Sequence, residues 1–297
     1  MKLKLITKTF TFVTYCDLPI LDADDRLVTT ELKQRGFECK VADWRDTSVD
    51  WANAGICVLR STWDYHLHYQ EFLNWLTKVS AQTILWNDTE LVRWNSKKTY
   101  LFDLERAAIP IVPTVLFEQG STENLKSVLD KQNWTKGILK PVVGLSTFGV
   151  RIIESDSKNI QEQLEAMLES SDVLLQPFIE TVHERGERAL VFIGQEYSHT
   201  IRKSAFQPLA QAGEAGETLE QADERELDLA RRVLAEVKKP YAFARVDLIR
   251  DTAGEDLLIE LELVEPSLYL QMYPAAISKF ADTLCQLARG EPSARVQ

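Results

Sequence analysis

Cysteines are few in this 297-residue chain, and no two of them stand at the C-x-x-C spacing. A zinc site or a disulfide framework needs cysteines in such pairs or in a regular set. Their scatter argues against both kinds of site and fits a reducing compartment. We interpret the four thiols as small buried apolar side chains. They are Cys16, Cys39, Cys57 and Cys285.

Long apolar runs and long basic runs are also missing. The N-terminal stretch MKLKLITKTFTFVTY resembles a signal sequence, but Lys and Thr interrupt it and no small-residue cleavage site follows. No stretch approaches the roughly 18 apolar residues of a membrane span. Because the formal charge is −11 and no basic run offsets it, the chain is not expected to bind nucleic acid or anionic membranes. We therefore expect a cytoplasmic globular protein with a small-molecule ligand, and a homodimer stays open.

The first third of the chain alternates between strand and helix patterns. Strands are predicted over 10–15, 37–44, 55–61 and 83–87, and helices over 24–35 and 69–79. This alternation predicts an α/β domain with a parallel sheet, which holds ligands at the carboxyl ends of its strands. No G-x-G-x-x-G follows any of these strands, which argues against a Rossmann dinucleotide site.

Two α+β units follow the first domain. The first has strands predicted over 137–143, 149–155 and 172–180, and helices over 96–109 and 158–170. The second has a hairpin over 189–203 turning at Gly194, a Gly- and Glu-rich mobile loop over 204–222, a helix over 222–238, two strands joined at Gly254 and a last helix over 275–289. We expect three domains, over 1–95, 96–180 and 181–297.

The two strands joined at Gly254 carry the strongest chemical signal. Side chains alternate along a strand, so ARVDLI puts Arg245 and Asp247 on one face, and LIELELVEP does the same for Glu260 and Glu262. If the strands pair, three carboxylates converge and repel unless a cation lies among them. Ligation by oxygen alone indicates Mg²⁺ or Mn²⁺, with substrate phosphates completing the shell. The alternative is a solvated acidic face of the sheet.

A second signal is the segment ILKPVVGLSTFGV. Lys140 ends a strand there, and the loop that follows contains Gly144, Ser146, Thr147 and Gly149. Glycines let backbone N–H groups approach phosphate oxygens, and the lysine adds a point charge. The segment is not a Walker A motif, because no Gly-Lys-Ser/Thr opens a helix. A plain hairpin turn is the alternative.

A third signal is the segment LLQPFIETVHERGER. An apolar strand runs into Gln176, Pro177, Phe178 and Ile179, which could offer backbone groups to an adenine edge and apolar walls to its faces. Glu187, which follows a glycine, could accept hydrogen bonds from ribose hydroxyls. The alternative is a strand, a loop and a strand with no ligand.

Taken in order, these segments resemble the ATP-grasp superfamily of carboxylate–amine ligases over roughly residues 90–290. NSKKTYLFDLERAAIPIVPT is similar to the segment whose lysine touches ATP phosphate, and counting back from Ile109 favours Lys97 over Lys98. LKPVVGLSTFGV is similar to the segment that joins the second ATP lysine to the flexible loop over the phosphates, which here includes Phe148. LLQPFIE resembles the adenine hinge, and GER resembles the ribose acid. The resemblance implies ATP and Mg²⁺, bound between two α+β lobes that follow an N-terminal parallel-sheet domain.

Two positions depart from the superfamily pattern. The last metal ligand is usually Asn, whereas the matching residue is Glu262, which adds a negative charge. In several relatives an Arg follows the ribose acid by two residues, whereas Ala189 stands there in this chain. Anchoring of phosphate or substrate would then fall to Arg202 or Lys203. In the reaction that the resemblance implies, Lys140, Lys203 and Arg245 would stabilise the negative charge that spreads over the phosphates.

A closer resemblance runs nearly from end to end. VLRSTWDY, WN-x-x-K-x-YL, SHTIRK and LELVEPSLYL resemble the ATP-grasp group that contains the O-ureido-serine cyclo-ligase of D-cycloserine biosynthesis. It implies a small, amino-acid-like substrate. Candidate contacts are Arg60, Ser61 and Asp64, which follow a predicted strand, and Ser267, which lies where relatives bind the acceptor. A helix-capping turn is the alternative for the first three.

The resemblance also implies a reaction. A substrate carboxylate attacks the γ-phosphate of ATP, and a nitrogen then displaces phosphate from the acyl phosphate. If that nitrogen belongs to the same molecule, a ring closes. Two alternatives stay open: a ligase that joins two separate molecules, and a nucleotide-binding module without catalysis.

Overall fold

A four-stranded parallel sheet opens the computed structural model, which describes residues 7–145, 147–204 and 216–290. Its strands are β1 (Thr9–Thr14), β2 (Glu38–Asp43), β3 (Ile56–Leu59) and β4 (Ile84–Trp86), in the order β2-β1-β3-β4. Every neighbouring pair is parallel, as the alternating pattern predicted.

Three helices flank this sheet: α1 (Ala23–Gln34), α2 (Tyr69–Ser80) and α3 (Thr89–Asn95). Helix α1 begins where the side chain of Asp22 accepts a hydrogen bond from the Asp25 backbone N–H at 2.7 Å, which satisfies one unpaired donor of the first turn. Helix α2 buries Phe72, Trp75 and Leu76 against the sheet, in the spacing that predicted it.

The second sheet is antiparallel. Its strands are β5 (Val115–Phe117), β6 (Lys136–Pro141), β7 (Arg151–Glu154) and β8 (Val173–Pro177), in the order β5-β8-β6-β7. Helix α4 (Tyr100–Arg106) precedes it, and α5 (Leu125–Gln132) and α6 (Ile160–Leu168) pack together beside it. The sequence pattern did not predict β5 or α5, and the helix predicted over 96–109 is shorter in the structure.

The third sheet is antiparallel as well, in the order β11-β10-β9-β12-β13. Its strands are β9 (Glu187–Ile193), β10 (Glu196–Lys203), β11 (Glu217–Glu220), β12 (Phe243–Arg250) and β13 (Asp256–Glu262). The short helix α7 (Val182–Arg185) precedes this sheet, and the longer helices α8 (Glu224–Ala235) and α9 (Ala275–Ala288) belong with it. The predicted turns at Gly194 and Gly254 are both present, each with a positive φ.

Two predictions from composition are wrong. The segment 204–222 is not a loop throughout, because 217–220 form an edge strand that pairs with β10; residues 205–215 lie outside the described part of the chain. The four cysteines are not uniformly buried either. Cys57 and Cys285 are buried, but Cys16 is exposed, because it follows the end of β1 at the surface.

Buried asparagines join the first domain to the third sheet. The side chain of Asn87 donates to the carbonyls of Phe243 and Leu263 at 3.1 and 2.7 Å, and accepts from the Ala242 N–H at 2.8 Å. Asn95 donates to the Leu261 carbonyl and accepts from the Leu263 N–H, both at 2.7 Å. These bonds fix the end of the parallel sheet against β12 and β13. Among the helices described, none has both the length and the apolar content to cross a bilayer.

Candidate active site

Three carboxylates converge on the hairpin of β12 and β13, and we call Asp247, Glu260 and Glu262 the acid trio. In the antiparallel register Arg245 lies opposite Glu262, and Asp247 lies opposite Glu260. One ligand oxygen from each acid lies within 4.8 Å of the other two. The convergence predicted from alternation along the two strands is therefore confirmed.

An irregularity in the hairpin follows directly after the acid trio. The register shifts between Asp247 and Leu248, so that β13 has one residue more than β12 over this stretch. Such a bulge bends the strand and turns its side chains locally. The bulge lies directly beside Asp247 and Glu260.

Cations from two strands hold the first acid of the trio. Arg245 binds Asp247 in bidentate fashion, with two N–H···O distances of 2.9 Å, and Nζ of Lys203 lies 2.7 Å from the same carboxylate. Burial alone would raise the pKa of Asp247, but Arg245 and Lys203 outweigh burial and lower it to about 2. The guanidinium also contacts Glu262, whose pKa burial raises to about 7.

Lysines from the second sheet and from the segment before α4 reach Glu260, the second acid of the trio. Nζ of Lys140 and Nζ of Lys98 each lie 3.5 Å from the same oxygen of Glu260. Lys98 also donates to the Gly144 carbonyl at 2.7 Å. Burial lowers the pKa of Lys140, and the nearby Glu260 opposes that change. Glu260 thus lies where the two antiparallel sheets meet.

The resemblance favoured Lys97 as an ATP contact, and the structure places the two neighbouring lysines differently. Nζ of Lys97 lies 5.9 Å from the centre of the Tyr69 ring, on an exposed side chain. It is Lys98 that reaches the acid trio. Contact between Lys97 and ATP stays a prediction, although the lysine that lies at the acid trio is Lys98, which counting back from Ile109 disfavoured.

The donor set of the acid trio fits a hard divalent cation. All three candidate ligands are carboxylate oxygens, and they are close enough to share one ion. Around them stand four cationic side chains, Lys98, Lys140, Lys203 and Arg245. Acids that bind a metal beside cations that bind phosphate are the two halves of a metal–nucleotide site.

The predicted phosphate loop follows Lys140 and β6. Thr147 and Phe148 are exposed, and Ser146 lies outside the described residues. Gly149 has φ +70°, and a Cβ there would approach the Pro141 ring to 3.2 Å. The Phe148 ring reaches across to the first domain, where its centre lies 4.6 Å from that of the His66 ring.

The predicted adenine hinge is the end of β8. The side chain of Gln176 is buried and donates to the Thr114 hydroxyl at 2.8 Å. Pro177 ends the strand, and Nζ of Lys136 lies 3.8 Å from the centre of the Phe178 ring. The hinge borders an apolar cluster that contains Val112, Phe178, Val182 and Ile249, with Ile138, Ile179, Leu257 and Ile259 at its edge. Such a cluster supplies the apolar walls that an adenine ring needs.

The predicted ribose acid faces the same cations as the trio. Glu187 pairs with Lys203 in the register of β9 and β10, and Oε2 lies 2.8 Å from Nζ of the lysine. Gly186 permits this approach, because a Cβ there would lie 2.4 Å from the Lys203 carbonyl oxygen. Lys203 therefore links Glu187 to Asp247.

Comparison with known proteins identifies the family. A model of the N-terminal domain of D-cycloserine synthetase DcsG matches residues 10–87. The cycloserine biosynthesis protein DcsG of Streptomyces lavendulae is 32% identical over 272 residues, which span 84% of this chain and 89% of that protein. The chain belongs to the DcsG family.

Solved structures agree on the fold of the DcsG family. The crystal structure of D-cycloserine synthetase DcsG matches with a TM-score of 0.86 and 28% identity, over 94% of this chain and 99% of that one. D-alanine–D-alanine ligase from Bacillus anthracis matches with a TM-score of 0.68 and 15% identity, over 94% and 97% of the two chains. The ATP-grasp ligase PsnB, in a complex with a minimal precursor, Mg and ADP, gives 0.59 and 16% over 93% and 98%.

Membership in the DcsG family establishes the enzyme class. The predicted ATP-grasp fold is confirmed, and the chain is an ATP-grasp ligase that forms carbon–nitrogen bonds. Use of ATP with a divalent cation belongs to that class.

The two basic residues at the end of β10 diverge. Because side chains alternate along the strand, Lys203 faces the acid trio, whereas Arg202 donates to the carbonyls of Arg185 and Glu184 at 2.8 and 2.9 Å. The structure thus brings only the lysine of this pair to the acids. A role for Arg202 at the reacting atoms stays a prediction without support from its position.

The predicted substrate residues lie where the first domain meets the end of β13. Arg60 is 1% exposed and donates to Asp25 at 2.7 Å and to the Pro266 carbonyl at 2.9 Å. The Ser61 hydroxyl donates to the same aspartate at 3.0 Å. This pair of side chains therefore has partners within the protein.

The two other predicted substrate residues are also engaged. Asp64 accepts a hydrogen bond from the indole N–H of Trp44 at 2.7 Å, and both are buried. The carbonyl of Ser267 accepts from Arg245 at 3.2 Å, which brings this residue beside the trio. Substrate contact by any of the four stays a prediction.

Several residues of this DcsG-family site carried no recognisable signal in the sequence. Asp25, Asn87, Asn95 and Tyr100 each bond to a partner more than 30 positions away. The Tyr100 hydroxyl accepts from the Leu261 N–H at 2.8 Å, between the two glutamates of the trio. Only the fold brings such partners together, so spacing along the chain could not reveal them.

Proposed function

We propose that this enzyme is an ATP-dependent carboxylate–amine ligase that activates a small amino-acid-like substrate as an acyl phosphate and then closes a ring within it. The observation that carries the proposal is the acid trio with four cations around it, on a scaffold of the DcsG family. Its 32% identical relative is named for cycloserine biosynthesis, which favours a substrate of the amino-acid class.

The first chemical step is phosphoryl transfer. A carboxylate oxygen of the substrate attacks the γ-phosphorus of ATP, the bond to the β–γ bridging oxygen breaks, and ADP leaves with that electron pair. Lys140, Lys203 and Arg245 are positioned to stabilise the negative charge that spreads over the phosphoryl oxygens. A Mg²⁺ or Mn²⁺ ion held by Asp247, Glu260 and Glu262 would neutralise further phosphate charge.

The second step forms the carbon–nitrogen bond. A nitrogen of the substrate attacks the carbonyl carbon of the acyl phosphate, inorganic phosphate leaves with the C–O electron pair, and the nitrogen gives up its proton. When both groups belong to one molecule, the carbon–nitrogen bond closes a ring. Water would hydrolyse the acyl phosphate, so the site has to exclude it.

The nucleotide lies between the two antiparallel sheets in this proposal. Its adenine contacts Gln176, Pro177, Phe178 and Ile179, its ribose contacts Glu187, and its phosphates face Lys140 and the loop after it. The apolar cluster at the hinge and the link from Glu187 through Lys203 to Asp247 support this arrangement. Contact of Lys97 and of Ser146 to Gly149 with the phosphates is part of the same proposal.

An ADP-release assay tests the function. Purified protein, ATP and Mg²⁺ are incubated with the D or the L form of O-ureido-serine as the sole substrate. Parallel reactions contain single amino acids or pairs of amino acids instead. We expect ADP from O-ureido-serine alone, with one cyclic product per ADP by mass spectrometry. ADP that appears only when two amino acids are present would instead indicate a ligase that joins separate molecules. No ADP above the background hydrolysis with any substrate would overturn the proposal.

A further inference from the structure

The segment after β13 lies directly against the end of β3. Arg60 donates through one terminal nitrogen to the Pro266 carbonyl at 2.9 Å, and the Trp63 indole N–H donates to the Glu265 carbonyl at 3.3 Å. Glu265 follows the last acid of the trio by three positions, and the Ser267 carbonyl is bound by Arg245. This junction therefore adjoins the place where the substrate carboxylate is activated.

Three side chains at this junction keep buried polar atoms without a partner among the described residues. They are Oε2 of Glu265, Oγ1 of Thr62 and Nη1 of Arg60. The residues are 6%, 0% and 1% exposed, so bulk water does not satisfy these atoms. A buried polar atom without a hydrogen bond costs on the order of 1–3 kcal/mol. All three belong to residues of this one junction, where a bound group would supply the missing hydrogen bonds.

The atoms also differ in kind. Glu265 presents a hydrogen-bond acceptor, Arg60 a donor, and the Thr62 hydroxyl either of the two. No ion pair joins Glu265 to Arg60 in the part of the chain that the structure describes, although the guanidinium acts on the carboxyl electrostatically. Oε2 of Glu265 is therefore open to a hydrogen-bond donor that is not among the described residues.

The electrostatic surroundings of Glu265 disfavour its charged form unless a cation binds beside it. Burial raises the pKa of its carboxyl well above the usual range, and the nearby Glu262 raises it further. Lys98, Arg60 and Arg245 act in the opposite direction, but each of them forms its ion pair with another acid, and no ion pair within the described residues joins them to this carboxyl. A cationic donor bound at Oε2 would complete the hydrogen bonds and compensate the charge.

We propose that Glu265 receives the α-ammonium group of the substrate, with the Thr62 hydroxyl as a second contact, so that the enzyme selects amino acids whose α-amino group is free. This inference rests on the proposed function and names the substrate class of that same site. Glu265 and Thr62 are specificity-determining residues. The ammonium remains bound through both steps, away from the nitrogen that closes the ring.

The test compares an amino acid with its desamino analogue. Dissociation constants are measured by calorimetry in the presence of Mg²⁺ and a non-hydrolysable ATP analogue, for O-ureido-serine against 3-(ureidooxy)propanoate and for alanine against propanoate. The wild type is expected to prefer the amino form about 10- to 100-fold, because a hydrogen bond to a charged group is at stake. In Glu265→Gln this preference falls to near one, and in Thr62→Val it falls by a few-fold.

Matched readouts separate recognition from folding. Glu255→Gln, an exposed glutamate at the other end of the same hairpin, should keep the wild-type preference. The KM for ATP should be unchanged in Glu265→Gln. Its thermal midpoint without substrate should equal or exceed that of the wild type, because the amide has the size of the carboxyl group and spares the cost of burying a carboxyl that has no ion-pair partner among the described residues.

Two results would overturn the ammonium site. An unchanged preference in Glu265→Gln together with a lower thermal midpoint would make Glu265 a structural group bridged by ordered water. Equal affinity of the wild type for the amino and desamino forms would likewise show that Glu265 does not bind the α-ammonium group. Because binding is measured without turnover, a lack of ADP release from O-ureido-serine counts against the proposed function alone.

Discussion

Two polar clusters meet at the end of β13, and they differ in how far their charged and polar groups are paired within the chain. In the acid trio, every carboxylate lies beside a cation of the same chain. At the junction of Arg60, Thr62 and Glu265, which we call the ammonium subsite, one buried polar atom of each residue has no partner within the part of the chain that the structure describes. The first cluster has its ion pairs within the chain and must exchange them when metal and phosphate bind. The second is incomplete and is built for a partner of one shape and charge.

Removing an acid from the trio should have the largest effect. Asp247→Asn keeps the size of the side chain but removes one charge from the candidate metal site and from the partner of Lys203 and Arg245. We expect ADP release with O-ureido-serine to fall by about 10²- to 10³-fold, because charge that stabilises the transferring phosphoryl group is lost. Steady-state measurement over a range of Mg²⁺ concentrations would show it.

The same hairpin supplies a matched control. Asp256 is also buried, and Arg250 holds it in bidentate fashion at 2.6 and 2.8 Å, as Arg245 holds Asp247. Asp256→Asn should lower stability and leave kcat within about two-fold of the wild type. Comparable kcat losses in the two variants would show that the arginine–aspartate pair matters for the hairpin and not for chemistry.

A second prediction concerns the support of the ammonium subsite. Asp25 is fully buried and pairs with Arg60, whose guanidinium also lies 4.6 Å from the Phe243 ring. Asp25→Asn leaves a buried guanidinium without its counter-charge, and we expect the free energy of unfolding to fall by about 3–5 kcal/mol. Urea denaturation measures it. A loss below about 1 kcal/mol would mean that water or another group compensates Arg60.

A third prediction tests the link between the trio and the second sheet. Lys140 is buried and approaches Glu260 at 3.5 Å. Lys140→Met keeps the length of the side chain and removes its charge, so we expect the KM for ATP to rise roughly 10-fold. Lys126→Met, on the exposed face of α5, is the control and should keep the wild-type KM. An unchanged KM in both would remove Lys140 from the ATP site.

The comparison also shows what the sequence could reveal. Alternation along β12 and β13 was sufficient to predict the convergence of Asp247, Glu260 and Glu262, because the partners are close along one hairpin. The parallel first sheet followed from its alternating pattern in the same way. By contrast, the bonds of Arg60 to Asp25 and Pro266 span 35 and 206 positions. No local pattern encodes which of several polar residues will be left without a partner.

The short strands, and the choice between two neighbouring lysines, could not be predicted from the sequence for a related reason. Strand β5 has three residues, and its pairing with β8 depends on a partner far along the chain. Lys97 and Lys98 are adjacent, and only the turn before α4 decides which of them points to Glu260. The edge strand β11 forms within a Gly- and Glu-rich stretch because it pairs with β10. The strand propensity of its residues alone does not predict this pairing.

The smallest expected effect concerns a contact between the phosphate loop and the first domain. Phe148 extends from the phosphate loop to His66 of the first domain, four positions after Thr62 in the sequence. Its ring is 52% exposed, so this contact and not burial in a core determines its place. An aromatic pair contributes about 0.5–1.5 kcal/mol. Phe148→Ala should therefore weaken the docked position of the loop by a factor of about 2–10.

Weaker docking should appear in the coupling of the two steps more than in the rate of the first. When the loop opens before the nitrogen attacks, water reaches the acyl phosphate, so ADP is formed without product. We expect the ratio of ADP to product to rise about 2- to 5-fold in Phe148→Ala, while the KM for ATP changes less than in Lys140→Met. Ile152→Ala removes another exposed apolar side chain of the same sheet and should leave the ratio at its wild-type value. A rise in both variants would point to a general loosening of the sheet, whereas a rise in Phe148→Ala alone would tie the phosphate loop to the domain that carries the ammonium subsite.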